Sequence, residues 1–242
     1  MEKRDYGIEL SNRTKWIKKI IDEAGARGVV FGNSGGKDSA LVGILCKKAK
    51  IETLAVIMPC QSKTNYGQDK EHALLLSGIF DIPTIEVDLT KAKEELQKNL
   101  DIKKDLALNN INPRLRMTTL YAIGQEREYL VAGTGNLSEI TMGYFTKYGD
   151  GACDFNPIAD LTASEVKEFL KYLNAPKEII DKAPSAGLWD GQTDEKEMGL
   201  LYSEIDEYIL NGKSNEKITS LIEKSKKKTQ HKREMPKTFS SK

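Results

Sequence analysis

The hexapeptide Ser34-Gly35-Gly36-Lys37-Asp38-Ser39 sets two adjacent glycines, a cation, a carboxylate and two hydroxyls between two apolar stretches. Val29, Val30 and Phe31 precede it as a short buried strand; Ala40, Leu41, Val42, Ile44 and Leu45 follow as the inward side of a helix. Paired glycines let backbone N–H groups turn inward with no Cβ in the way. The helix behind them opens with unpaired N–H groups and a positive dipole end. Such a strand–loop–helix turn is an anion site, and its usual anion is a phosphate. A Walker A loop does not fit: Gly32 and Gly36 have three residues between them, and Asp38 separates Lys37 from Ser39. Nor do Gly32, Gly35 and Gly36 give a dinucleotide fingerprint. Asp38 is the informative departure. A carboxylate beside a phosphate repels it unless a cation lies between, and a hard divalent ion such as Mg²⁺ binds both through oxygen. The competing reading is a plain glycine-rich turn in which Asp38 and Ser39 cap the helix.

The elements around this loop must bring partners to it. Trp16, Ile17, Ile20, Ile21 and Ala24 recur at helical spacing and predict a first amphipathic helix, with Trp16 in the core or an interface. Strands are predicted at 28–31, 53–58, 84–87 and 129–132, with helices between them and another helix over 117–128. Asp88 and Thr90 offer N-caps for a helix starting near Lys91. Strands alternating with helices mean βαβ units and a parallel sheet with right-handed connections. If strands two and three wind outward on one side, strand four returns to the other side of strand one. The turn Gly133–Asn136 then lies beside the Gly32–Ser39 loop at a topological switch point, where ligands bind. Beyond residue 150 the reading is helical, over 161–173, 194–210 and 215–228.

Composition excludes several classes. The 242 residues can bury one full core, and the 30% charged and 39% hydrophobic fractions are ordinary for a soluble chain. Net charge is +1, so no global field points to nucleic acid or a membrane surface. Cys46, Cys60 and Cys153 form no C-x-x-C pair, which argues against a zinc site or a disulfide framework. With no signal-like segment and no apolar run long enough to span a bilayer, a cytoplasmic location is expected. From Lys224 to Lys242 there are eight Lys or Arg against one acid, Glu234, and composition alone reads residues 226–242 as a solvated tail. His72 has no partner motif and reads as an exposed or capped helix histidine.

The hexapeptide resembles the pyrophosphatase loop of the N-type ATP pyrophosphatases, which cleave ATP between the α and β phosphates and transfer AMP. The loop alone does not choose among NAD, GMP, asparagine and argininosuccinate synthetases and tRNA-modifying enzymes. The second half is more specific. Gly133-Thr134-Gly135-Asn136-Leu137-Ser138-Glu139 is followed by Gly143-Tyr144-Phe145-Thr146-Lys147-Tyr148-Gly149-Asp150-Gly151. Arg114-Leu115-Arg116-Met117, Cys153-Asp154-Phe155-Asn156-Pro157, Pro184-Ser185-Ala186-Gly187-Leu188-Trp189, Gly191-Gln192-Thr193-Asp194-Glu195 and His231-Lys232-Arg233 complete an ordered set. This set resembles the ammonia-dependent NAD synthetases.

That resemblance implies a single domain over 1–242, a Rossmann-like parallel sheet flanked by helices (adenine nucleotide alpha-hydrolase-like), with ATP at the switch point. It implies amidation of deamido-NAD with ammonia to NAD, AMP and pyrophosphate, through an adenylated intermediate. Gly32, Asn33, Ser34, Gly35, Gly36, Lys37, Asp38 and Ser39 match the phosphate cradle; Thr134 and Ser185 match further ATP contacts. Asp38 and Glu139 match the Mg²⁺ ligands and, with Lys37, carry the catalytic expectation. Arg114, Lys147, Asp154, His231 and Lys232 match positions that bind deamido-NAD, so residues 226–242 are expected to order on substrate. The family forms homodimers, for which Trp16 and the helix carrying Met117 offer apolar area. One position departs: Ala163 stands where many members have an ATP-contacting lysine. Two other readings stay open, a tRNA-thiolating or GMP-forming relative and a catalytically silent nucleotide sensor. Both lack supporting features: there are no paired cysteines and no RNA-binding appendage, and Asp38 and Glu139 are intact.

Overall fold

In a computed structural model of the chain, residues 4–183 and 194–240 are described. Asp5 opens α1 (Tyr6–Ala24) by accepting from the Gly7 and Ile8 N–H groups at 2.9 and 3.1 Å. β1 (Gly28–Gly32) leads through the glycine loop into α2 (Lys37–Lys48). β2 (Glu52–Ile57), the short α3 (Lys63–Tyr66), α4 (Gln68–Ile79), β3 (Thr84–Glu86) and α5 (Thr90–Lys98) follow. Next come α6 (Asp105–Asn109), α7 (Ile111–Arg127), β4 (Tyr129–Val131) and α8 (Leu137–Met142). The remaining elements are helices: α9 (Ala163–Tyr172), α10 (Lys177–Ile180), α11 (Asp194–Met198), α12 (Tyr202–Asn211) and α13 (Glu216–Arg233).

The four strands form one parallel sheet in the order β3-β2-β1-β4. β1 pairs with β2 from Gly28↔Glu52 to Gly32↔Val56 and with β4 from Gly28↔Tyr129 to Val30↔Val131. The switch point therefore lies between β1 and β4, and the turns that follow these two strands are neighbours, as the sequence reading requires. Period-two alternation divides the core between the faces of the sheet. Val29 and Phe31 pack with α1, α2, α9 and α10; Val30, Leu54, Val56 and Val131 pack with Leu115, Leu120 and Ile123 of α7. Burying each such side chain contributes roughly 1.5–3 kcal/mol. A separate small core of Met142, Leu200, Tyr202, Ile205, Ile218 and Ile222 joins α8, α12 and α13.

A charge cluster fastens α1 to the turn before α9. Arg13 donates to Glu9 and to both Asp160 oxygens at 2.6–2.9 Å, and to the Pro157 carbonyl at 2.6 Å. Arg4 adds bonds to Glu165 at 2.7 Å and Glu9 at 3.1 Å. Burial would raise the Asp160 pKa, but the hydrogen bond and charge of Arg13 outweigh it and hold the carboxyl below its usual range.

Several expectations shift. α7 starts at Ile111 rather than Met117, so Arg114 and Arg116 stand on its first turns. The N-cap of α5 is Leu89, although Asp88 still accepts from the Thr90 N–H at 2.8 Å. The single helix expected over 194–210 is broken at Gly199. His72 is buried, with no partner for Nδ1 among the described residues. Trp16 is 40% exposed and lies edge-on to Phe155 at 6.0 Å. α13 continues to Arg233, so the first half of the basic stretch is helix; beyond it Met235 and Phe239 are exposed. Among the described residues no helix is long and apolar enough to cross a membrane.

Candidate active site

A cavity of about 860 Å³ opens at the carboxyl ends of β1, β2 and β4. Gly32–Ser34 and Gly36–Ser39 form one wall, and Gly133–Asn136 with Glu139 forms the facing one. Gly36 is the N-cap of α2 and no side chain caps that helix, which leaves its first turn to serve an anion. Gly35 has φ +68°, and a Cβ there would run into the Asp69 carbonyl, so only glycine suits this position. Asn33 is buried and braces the loop: Nδ2 donates to the Ala73 carbonyl at 3.0 Å, and Oδ1 accepts from the Gly35 N–H at 3.2 Å. Its side chain is thus spent on holding the loop. The Ser39 hydroxyl lies 3.1 Å from that of Ser34 and donates to the Gly36 carbonyl at 3.1 Å.

Asn136 joins the two walls. Its Nδ2 donates to Asp38 Oδ1 at 3.0 Å, its Oδ1 accepts from the Glu139 N–H at 3.0 Å, and its own N–H donates to Glu139 Oε2 at 3.0 Å. The last two bonds are a capping box at the start of α8, so Glu139 is both a helix-capping acid and a cavity wall residue. Asn136 was not among the expected site residues, although Asn136-x-x-Glu139 has the capping-box spacing. Both carboxylates are half-buried in the cavity wall and close enough to act on each other. Burial, followed for Glu139 by the charge of Asp38, pushes Glu139 well above the ordinary carboxylate range; burial raises Asp38 as well, against the pull of Asn136 and Lys37. Asp194, 4% exposed and hydrogen-bonded by Tyr144 and Tyr202 at 3.2 and 3.3 Å, adds a third negative charge. No lysine or arginine forms an ion pair with Asp38 or Glu139 among the described residues. Clustered acids that no cation pairs directly fit a divalent ion. The described residues contain no group of three acidic, histidine or cysteine side chains set to enclose a metal, so phosphate and water oxygens must complete the shell.

The expected cations are distributed around the cavity. The Lys37 ammonium donates to the Lys182 carbonyl, and burial lowers its pKa. Lys182, which sequence reasoning did not single out, donates to the Gly35 carbonyl at 3.1 Å and to Asp69 at 2.6 Å. Arg114 reaches the Lys147 carbonyl at 3.4 Å, and Lys147 in turn donates to the His231 carbonyl. Lys232 donates to the Gly143 and Phe145 carbonyls at 2.7 and 2.6 Å, docking the end of α13 on the rim. Gly143 has φ +66° and carries Thr229 of α13 where a Cβ would stand. Thr134 and Ala163 line the cavity. Two expected residues stand apart from its wall. The His231 side chain is exposed, and Asp154 accepts from the Val131 N–H at 2.7 Å and the Tyr121 hydroxyl at 3.2 Å. Ser185 and Trp189 lie outside the described residues.

Comparison with known proteins agrees with this geometry. The NAD synthase family profile matches residues 9–236. An NH3-dependent NAD⁺ synthetase of Carboxydothermus hydrogenoformans is 46% identical over 227 residues, covering 91% of this chain and 92% of the relative. Among solved structures, an NMN synthetase from Francisella tularensis superposes with TM-score 0.93 at 38% identity, over 98% of this chain and 99% of the other. An NH3-dependent NAD synthetase from Campylobacter jejuni superposes with TM-score 0.81 at 31% identity, over 98% and 100%. With an uncapped anion loop facing two half-buried acids at the switch point, and with these matches over nearly its whole length, the chain belongs to the NAD synthase family.

Proposed function

We infer that this chain is an ammonia-dependent NAD synthetase, converting deamido-NAD to NAD with ATP. The observation that carries the reading is the pairing of Asp38 and Glu139 through Asn136 at the mouth of the anion loop. The substrate carboxylate oxygen attacks the α-phosphorus of ATP, and the bond to the bridging oxygen breaks as pyrophosphate leaves. Ammonia then attacks the acyl carbon of the adenylate, the acyl C–O bond breaks, AMP departs and the nitrogen gives up a proton. Two polyanions must meet, so positioning and charge neutralisation carry the catalysis. The loop N–H groups and Lys37 would hold ATP phosphate oxygens. Thr134 on the opposite wall and Ser185 are proposed as further ATP contacts. Asp38 and Glu139 would hold one Mg²⁺, which when bound neutralises phosphate charge. Arg114, Lys147 and Lys232 form a basic rim for the dinucleotide pyrophosphate; Asp154 and His231 would act from outside the cavity wall described above. We read residues 1–242 as one catalytic domain of a cytoplasmic homodimer, with the basic segment 226–242, which α13 already carries as helix to Arg233, completing its order on substrate.

A second substrate reading has specific support. The F. tularensis neighbour of TM-score 0.93 is an NMN synthetase. Nicotinic acid mononucleotide carries the same reacting carboxyl as deamido-NAD. Steady-state kinetics with ATP, Mg²⁺, ammonium and each nucleotide in turn test both. A higher kcat/KM for deamido-NAD supports the main reading; a higher value for the mononucleotide moves the chain to the other substrate; no AMP release with either refutes amidation.

A further inference from the structure

Lys37, Lys147, Lys182 and Lys232 all have protein acceptors, and Asp38 and Glu139 have a proposed metal. The Arg116 guanidinium is different. It lines the cavity from α7, donating from Nε to the Met58 carbonyl at 3.1 Å and from Nη2 to Asn65 Oδ1 at 2.9 Å. Both acceptors are neutral. Its remaining N–H groups have no partner among the described residues, and Asp150 and Asp69 act on it only through space. An arginine cannot shed its charge to escape burial. Arg116 is half-buried, and a partly desolvated charge without an ion pair is costly until a ligand of opposite sign offsets it.

Position narrows the ligand. The β1–β2 ladder ends at Gly32↔Val56, and Met58 follows at the carboxyl end of β2, on the cavity wall with Gly32 and Ser34. Asn65 also donates to Asp69 at 2.9 Å, and Lys182 bridges Asp69 at 2.6 Å to the Gly35 carbonyl at 3.1 Å. A continuous polar chain thus ties the guanidinium to the phosphate loop through Asn65, Asp69 and Lys182. Its free fork matches the geometry of phosphate oxygens.

We propose that Arg116 is a phosphate-binding residue of this site, taking a phosphoryl oxygen of the ATP held by the glycine loop. The proposal rests on the NAD synthetase reading for the identity of the nucleotide. On attack at the α-phosphorus, negative charge moves onto the departing pyrophosphate, where a fixed guanidinium stabilises it.

The test is calorimetric titration of the full chain with Mg²⁺ and α,β-methylene-ATP, and separately with deamido-NAD. Arg116→Met should weaken the ATP analogue by about tenfold or more, the scale of a lost charged hydrogen bond. Arg116→Lys, which keeps the charge and loses the fork, should weaken it by about threefold. Deamido-NAD affinity should stay within about twofold of wild type. Unchanged affinity for the ATP analogue in the two variants, or a loss confined to deamido-NAD, overturns the proposal. If Arg116→Met does not fold, Arg116→Lys decides alone. Wild-type NAD formation is measured in parallel: its absence with analogue binding intact strikes at the enzyme reading and leaves the phosphate assignment standing.

Discussion

Two charge clusters in this molecule are built on opposite rules. Around Arg13, two arginines meet three acids and every charge has an ion-pair partner of the opposite sign. At the cavity, Asp38, Glu139 and Asp194 stand close together, with no ion pair on the first two among the described residues. The first cluster is complete in itself and joins two helices. The second is incomplete until something positive arrives. An uncompensated internal charge costs stability, so its persistence marks a group retained for a ligand. Arg116 follows the same rule with the opposite sign.

The largest test of this contrast is Asp38→Asn. It should cut NAD formation by about a thousandfold while leaving the unliganded protein at least as stable, because a mutually repelling charge is removed. A clear drop in thermal midpoint, with turnover preserved, would place Asp38 among the structural pairs.

The two clusters should also respond to pH in opposite directions. Glu139 has a raised folded-state pKa, so the folded protein holds a proton that the unfolded chain has lost. Metal-free stability therefore falls as pH rises from the ordinary value of 4.5 through the folded one. Asp160 is depressed, so its contribution is present above the ordinary 3.8 and is lost as pH falls through the folded value. Denaturation midpoints across pH should show Glu139→Gln flattening the upper slope and Asp160→Asn the acid one. Identical profiles for both variants would erase the distinction.

Next in size is Arg13→Ala. With its side chain 11% exposed, the change should cost roughly 1–3 kcal/mol in urea unfolding and leave kcat/KM for ATP unchanged. Loss of activity without loss of stability would contradict the structural role. The smallest effect is at Ala163 on the cavity wall. Lysine there should tighten ATP binding by roughly 1 kcal/mol, seen as a lower KM, the scale of a partly exposed charge pair. An unchanged KM would mean that Lys37, Lys182 or Arg116 already supplies that charge.

Much of this was legible in advance where local pattern and global fold coincide. The Val29–Phe31 run, the paired glycines and the return of the fourth strand were enough to place Asp38 opposite the Gly133–Asn136 turn. Three things were not. Lys182 stands 147 residues from its Gly35 partner, with no motif around it. Arg116 sat inside a quoted motif, but only burial beside neutral acceptors separates it from Arg114. The basic stretch looked solvated because composition cannot see Lys232 reaching two carbonyls on another helix's rim.

The clasp between the loop and the later chain has a consequence for how the protein is made. Lys37 and Lys182 each grip the other's segment, and α13 seats on Gly143 near the far end of the sequence. The four strands are complete by Val131, but one face of the sheet is covered by α9 and α10, which come later, and Lys182 follows directly after them. Closing contacts of such long separation costs loop-closure entropy. Scaffold and nucleotide loop therefore depend on the same late stretch of chain, and a ribosome must pass residue 182 before either is whole.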